Sequence, residues 1–117
     1  MDSAAAPRKY DAGWACIRWE KQYGGREATA IEKVIWNQEE AKFNTPGGVF
    51  VIGQGMAAPT LMTWGKPEHH ERFLPKLASG EEIWCQLFSE PAGGSDLAAL
   101  RTKAERDGDD WVINGVK

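Results

Sequence analysis

The run Gln86-Leu87-Phe88-Ser89-Glu90-Pro91-Ala92-Gly93-Gly94-Ser95-Asp96 holds the residue types best suited to chemistry in this sequence. The alternating residues that lead into it read as a strand that delivers the Ser89 hydroxyl, after which Pro91 and two glycines form a loop. Glycines reach backbone dihedrals that aim successive N–H groups at one anion, and they keep side chains out of its path. Such a loop can cradle a pyrophosphate. Ser95 adds a hydroxyl donor, whereas the Asp96 carboxylate would repel an anion and is expected to turn away and cap the backbone. The same residues also spell an ordinary Pro-Gly-Ser-Asp turn, which by spacing alone is their commoner meaning.

Three other patterns are weaker. Gly53-Gln54-Gly55-Met56-Ala57-Ala58 fits the G-x-G-x-x-A turn of a dinucleotide site, and the apolar run Val49 to Ile52 precedes it as a strand would. Pro59 follows where the phosphate-binding helix should run, and no strand ending in Asp or Glu appears about 20 residues on. Small residues that let helices approach closely are the better reading. His69 and His70 are adjacent, so on a helix they point about 100° apart rather than together as metal ligands would. A solvated helix start is expected, and no metal site. Glu81-Glu82 and Asp109-Asp110 come with no apolar pocket to tune a general acid or base, so they read as solvated turns.

The elements that must position these residues change character near residue 80. Pro7 opens a first helical turn that ends at Gly13, Trp14 to Trp19 follow as an apolar connector, and Glu20 to Arg26 form a loop. Thr29-Ala30-Ile31-Glu32 has capping-box spacing and predicts a helix from Ala30 to Phe43, with Ile31, Val34, Ile35 and Ala41 as its apolar stripe. Asn44-Thr45-Pro46-Gly47 stops it. Pro67 starts a short helix that Pro75 closes. Beyond Ser79-Gly80 the period becomes two. Ile83, Cys85 and Leu87 alternate with Trp84, Gln86 and Phe88 as a strand, Leu97 to Arg106 is a weaker strand, and Asp107-Gly108 turns the chain into Trp111-Val112-Ile113. Asn114-Gly115 is a further hairpin signal with only two residues after it, and residues 81–117 are fewer than the ~40 at which a small domain stands alone. The natural unit is therefore expected to continue past Lys117.

Composition bounds the function. The 117 residues are 42% hydrophobic and 26% charged, with a formal net charge of -3 and both signs interleaved, which argues against a nucleic-acid groove or a polybasic membrane patch. No apolar run approaches the ~20 residues of a membrane span, and Met1 to Tyr10 are too polar for a secretory signal, so a cytoplasmic protein is expected. Cys16 and Cys85, far apart among apolar neighbours, read as buried thiols. Six tryptophans are a heavy load for a chain this short, and several of the rings are expected to meet chain that lies outside it.

The segment Ile83 to Leu97, centred on Ser89-Glu90-Pro91-Ala92-Gly93-Gly94-Ser95-Asp96, resembles the strand and Pro-Gly loop of the acyl-CoA dehydrogenases. The resemblance continues through Arg101-Thr102-Lys103-Ala104 and Trp111 to Lys117, and reaches back through Glu71-Arg72-Phe73-Leu74-Pro75 to Tyr23-Gly24-Gly25 and Ala12-Gly13-Trp14. It covers nearly the whole chain in order, and its strength lies in the set rather than in any one motif. It implies an α+β fragment: residues 1–80 as part of a helical N-terminal domain, and residues 81–117 as the first strands of a β-barrel-like middle domain. It also makes the stretch Gly53 to Ala58 helical and places it on the substrate side.

The activity implied is α,β-dehydrogenation of an acyl-CoA thioester with FAD as cofactor. By position, Gln86, Phe88 and Ser89 fall along the flavin ring, whose edge needs neutral hydrogen-bond partners. Gly94 and Ser95 fall at the FAD pyrophosphate, and Ser95 also at the acyl-CoA substrate. Ser89 stands where the family usually has Thr, Ala92 where it commonly has Gly, and Glu20 where it has Pro. The family's catalytic base is a Glu of its C-terminal helical bundle, and no residue here matches it; Glu90 matches a structural position. Expected partners are the acyl-CoA, the missing C-terminal domains or a complementary chain, and an electron-transfer acceptor, with homo-oligomers expected of the full-length protein. A non-catalytic binding or assembly module built from the same fold is the alternative.

Overall fold

Helices α1 (Ala5–Asp11), α2 (Ala30–Glu40), α3 (Ala58–Trp64) and α4 (Pro67–Ser79) are followed by an antiparallel pair, β1 (Lys103–Asp107) and β2 (Asp110–Asn114), in a computed structural model that describes residues 5–45 and 47–117. The chain divides into two compact units, Met1–Cys85 and Gln86–Lys117. It is thus mainly helical with a strand pair toward its end, as expected.

In the first unit, α2 starts where the Thr-x-x-Glu spacing predicts. The Thr29 N–H donates to Glu32 Oε2 at 2.7 Å, and the Glu32 N–H donates to Thr29 Oγ1 at 3.4 Å. The helix stops at Glu40 rather than Phe43, because the N–H groups of Lys42 and Phe43 donate to the carbonyls three residues back in a tightened last turn. Pro46, part of the expected stop, lies outside the described residues. The apolar stripe of α2 is not its buried face: Ile31, Val34 and Ile35 are exposed, and the half-buried residues are Lys33, Trp36 and Glu40. Specific partners decide this orientation. Trp36 stacks on Trp14 with ring centroids 4.7 Å apart, the Arg26 guanidinium lies 3.9 Å from the centre of Trp14, and Glu40 pairs with Lys9.

The core is built on α4. Leu74, Leu77 and Ala78 are buried against Cys16, Trp19 and Ala58, and a fully buried leucine contributes about 1.5–3 kcal/mol. That packing carries α4 through Pro75 to Ser79, where the expectation was a stop. The proline removes one backbone donor and crowds the preceding turn, and the buried residues on either side of it offset the cost. Gly80, at φ 79°, then ends the helix.

Gly53 to Ala58 is helical, as the family resemblance implied and the dinucleotide spacing did not. A π-turn, Gly53–Ala57, runs directly into α3, with the Ala58 N–H donating to the Gly53 carbonyl. The wider turn gives room to the ring of Pro59, which has no N–H to donate. Gly53 faces the core, where an added Cβ would lie 2.9 Å from Leu77 Cδ2.

Two expectations near Cys85 are corrected. Residues 83–89 form no strand and pair with none among the described residues, because alternation sets which way side chains point and cannot supply a partner for the backbone. Cys85 is exposed; only Cys16 is the buried thiol that was expected, and burial pushes its pKa up to about 12.

In the second unit the hairpin pairs Lys103 with Asn114 through to Asp107 with Asp110. The loop is Gly108-Asp109, one residue later than the Asp107-Gly108 signal, with Gly108 at φ 62° supplying the left-handed position. Asn114-Gly115 is not a turn. Gly115 is needed for close approach, since a Cβ there would fall 2.1 Å from Thr102 Oγ1 and 2.8 Å from Thr102 Cα.

Candidate functional site

Gln86, Phe88 and Ser89 lie on the unpaired segment before the loop, all exposed. The chain then turns on itself: the Glu90 N–H donates to the Gly93 carbonyl at 2.8 Å and the Gly93 N–H to the Glu90 carbonyl at 3.0 Å, closing a tight turn over Pro91 and Ala92. Ala92 keeps a negative φ, so the residue that replaces the family glycine sits there without left-handed strain.

Gly94 and Ser95 follow, exposed, and an added Cβ on Gly94 would meet nothing within 4 Å. Among the described residues their N–H groups and the Ser95 hydroxyl make no hydrogen bond, and neither do the N–H groups of Gln86, Phe88 and Ser89. This donor set is neutral, unspent and open, and it suits an anion beside a polar ring edge. By that test the residues fit FAD. The expected Asp96 cap is corrected. Its side chain makes no capping hydrogen bond, and its main-chain carbonyl instead accepts the Ala99 N–H at 3.2 Å to start the 3-10 turn Leu97–Ala99. An exposed carboxylate loses little by staying in water.

Glu90 is the most heavily partnered group of this unit. The Arg101 N–H donates to Oε2 at 2.8 Å, the Thr102 N–H to Oε1 at 2.9 Å, and Lys117 Nζ lies 3.2 Å from Oε1. Lys117 Nζ also donates to the Phe88 carbonyl at 3.2 Å. The Thr102 side chain, the N–H groups of Arg101 and Thr102, and Lys117 hold the Glu90 carboxyl down at about 2. The Thr102 hydroxyl makes no hydrogen bond, so the bonds that fix the carboxylate in place are those of the two main-chain N–H groups.

The remaining candidates are structural. His70 Nε2 faces the Leu61 carbonyl at 2.8 Å and must carry the proton there, which leaves Nδ1 to accept from the Tyr23 hydroxyl at 3.1 Å. His69 Nδ1 accepts the Lys66 N–H at 3.2 Å and so caps α4. Among the described residues no group of three His, Cys, Asp or Glu could hold a metal ion, and no helix is long and apolar enough to cross a membrane. Glu82 accepts from Arg72 at 2.8 Å and from the Trp84 indole at 3.1 Å, and the Arg72 bond leads in lowering its pKa.

Sequence reasoning missed a cavity of about 880 Å³ in the helical unit, walled by Trp19, Phe50, Val51 and Met62 with Lys33 and Glu40 among its polar residues. Its signal was the polar set Lys33, Asn37 and Glu40 on α2, legible only once α2 was known to turn that face inward.

The family model for the N-terminal domain of acyl-CoA dehydrogenases matches residues 3–81, and the chain belongs to that family. It is 43% identical over 106 residues to the acyl-CoA dehydrogenase IpdE1 of Mycobacterium tuberculosis, a match that covers 91% of this chain and 28% of that protein. The mouse mitochondrial long-chain specific acyl-CoA dehydrogenase is 32% identical over 101 residues, 86% of this chain and 24% of that one. Among solved structures, the ChsE4-ChsE5 complex of M. tuberculosis is similar with a TM-score of 0.81 and 39% identity, over 94% of this chain and 28% of that one. A glutaryl-CoA dehydrogenase of M. smegmatis in complex with FADH2 is similar with a TM-score of 0.76 and 28% identity, over 98% and 30%. The chain thus spans 24–30% of the length of these relatives.

Proposed function

We propose that this chain is the N-terminal part of an FAD-dependent acyl-CoA dehydrogenase, which removes two hydrogens across the α and β carbons of an acyl-CoA thioester. In this reading residues 1–80 belong to the helical N-terminal domain and residues 81–117 open the middle β domain. Bound FAD supplies the hydride acceptor. The chain's own task is to bind and orient: main-chain groups of Gln86 and Phe88 and the Ser89 hydroxyl meet the flavin ring edge, and Gly94 and Ser95 hold the pyrophosphate. Ser95 also faces the acyl-CoA. No residue of this chain is assigned as the base that takes the α proton; that carboxylate comes from the remaining domains or from a complementary chain, and a separate electron-transfer protein reoxidises the flavin. The full-length protein is read as a cytoplasmic homo-oligomer. Support for a complementary chain comes from similar structures whose names give two chains, the ChsE4-ChsE5 complex and the Tcur3481-Tcur3483 steroid ACAD.

The observation that carries the reading is the set of unspent donors at Gly94 and Ser95 in a member of this family. Co-expression with the C-terminal portion of a relative tests it. A yellow complex whose flavin absorbance is bleached by acyl-CoA is expected. A stable but colourless complex would favour the non-catalytic assembly module and overturn the proposal.

A further inference from the structure

The loop that carries Gly94 and Ser95 is closed at its neck by one side chain. Glu90 begins it, and its carboxylate accepts the N–H groups of Arg101 and Thr102, where the chain leaves the loop for β1. That side chain is 5% exposed, and Lys117 joins it to the Phe88 carbonyl, so the end of the segment before the loop, the loop neck and the chain after β2 meet at one point. The main-chain bonds within the loop are local: Glu90 with Gly93, Asp96 with Ala99 and Leu97 with Leu100. None of them spans the neck.

We propose that Glu90 is a positioning residue, whose carboxylate holds the two ends of the loop together and so keeps the Gly94 and Ser95 donors arranged for an anion before it binds. This rests on the reading of that loop as a pyrophosphate site. Donors ordered in advance bind without a further loss of chain entropy at the moment of contact. A carboxylate suits the neck because it accepts two N–H groups at once. An amide has a single oxygen and turns its NH2 toward the second donor.

The test uses the whole chain, with inorganic pyrophosphate as the probe and main-chain amide signals followed by NMR. In the wild type, pyrophosphate is expected to move the Gly94 and Ser95 amides. In Glu90→Gln, exchange of the amides from Gly93 to Leu100 is expected to rise and pyrophosphate affinity to fall, each about tenfold, the equivalent of one charge-assisted hydrogen bond. The β1–β2 amides should keep their protection, which separates positioning from collapse of the unit. Lys117→Met leaves both N–H bonds to the carboxylate in place and should fall between the two, so it serves as the second variant should Glu90→Gln unfold the hairpin. If pyrophosphate leaves the wild-type Gly94 and Ser95 amides unmoved, the anion-site reading fails and the proposal with it. If it moves them equally, and with equal affinity, in wild type and in a Glu90→Gln chain with an intact hairpin, only the positioning role is overturned.

Discussion

At the scale of single residues, the second unit rests on one carboxylate and one glycine. Glu90 is held down at about 2 from an ordinary 4.5. The folded form therefore keeps the charge while the unfolded chain takes up a proton, and the stability this contributes is complete above about 4.5 and lost as pH falls toward 2. Acid titration should release the Arg101 and Thr102 amide signals across that window, and Glu90→Gln should abolish the step; an unchanged titration in that variant would assign it to another group. Gly115→Ala should cost about 1–3 kcal/mol by overpacking, since the new methyl meets main-chain atoms of Thr102 that cannot swing aside. Thermal melts followed by the β1–β2 signals measure it. The Glu-Pro-Ala-Gly-Gly-Ser run was legible as a turn from its residue types, and as a candidate cofactor loop only through the family resemblance. Glu90's partners were not, because Arg101, Thr102 and Lys117 are brought to it only by the hairpin.

At the scale of elements, α2 and α4 respond to different forces. The cap of α2 is local, so Thr29→Ala should cost about 1 kcal/mol and raise exchange in the first turn only, with little change in the melting of the core. Leu74 belongs to the shared core and is fully buried. Leu74→Ala should cost about 2–5 kcal/mol and bring the whole helical unit down together, as read by circular dichroism. Equal effects of the two substitutions would contradict this division. The capping box of α2 was legible because it is settled within about four residues, and the β1–β2 turn was placed to within one residue, whereas Asn114-Gly115 misled because that glycine serves a contact with Thr102 rather than a turn. The passage of α4 through Pro75 was not, since burial of Leu77 and Ala78 beyond the proline offsets a local penalty that sequence rules apply in isolation.

At the scale of the whole molecule, the chain carries apolar surface that its own fold leaves open: Ile31 and Ile35 on α2, Trp64 at the end of α3 and Trp111 on β2 are all more than half exposed. Such surface promotes self-association. Replacing Ile31 and Ile35 by lysine should lower light scattering by the isolated chain without loss of helical signal, because neither side chain is part of the core; loss of helix would place them inside it. The isolated chain is also expected to retain no FAD after dialysis and to leave acyl-CoA unoxidised, since in the proposed reading it offers the cofactor one segment and one loop and takes its base from outside the chain. Absorbance of the dialysed protein checks the first and acyl-CoA-dependent bleaching the second. The sequence by itself determined the order of helices and hairpin, the cap of α2 and the position of the Gly-Ser loop, because these depend on near neighbours and on residue types. Only the tertiary structure decided which face of α2 turns inward, that residues 83–89 form no strand, that Gly115 serves contact rather than turning, and that Glu90 closes the loop. Each of these depends on atoms far apart in sequence, whose meeting is set by packing and hydrogen-bond partners that no local pattern encodes.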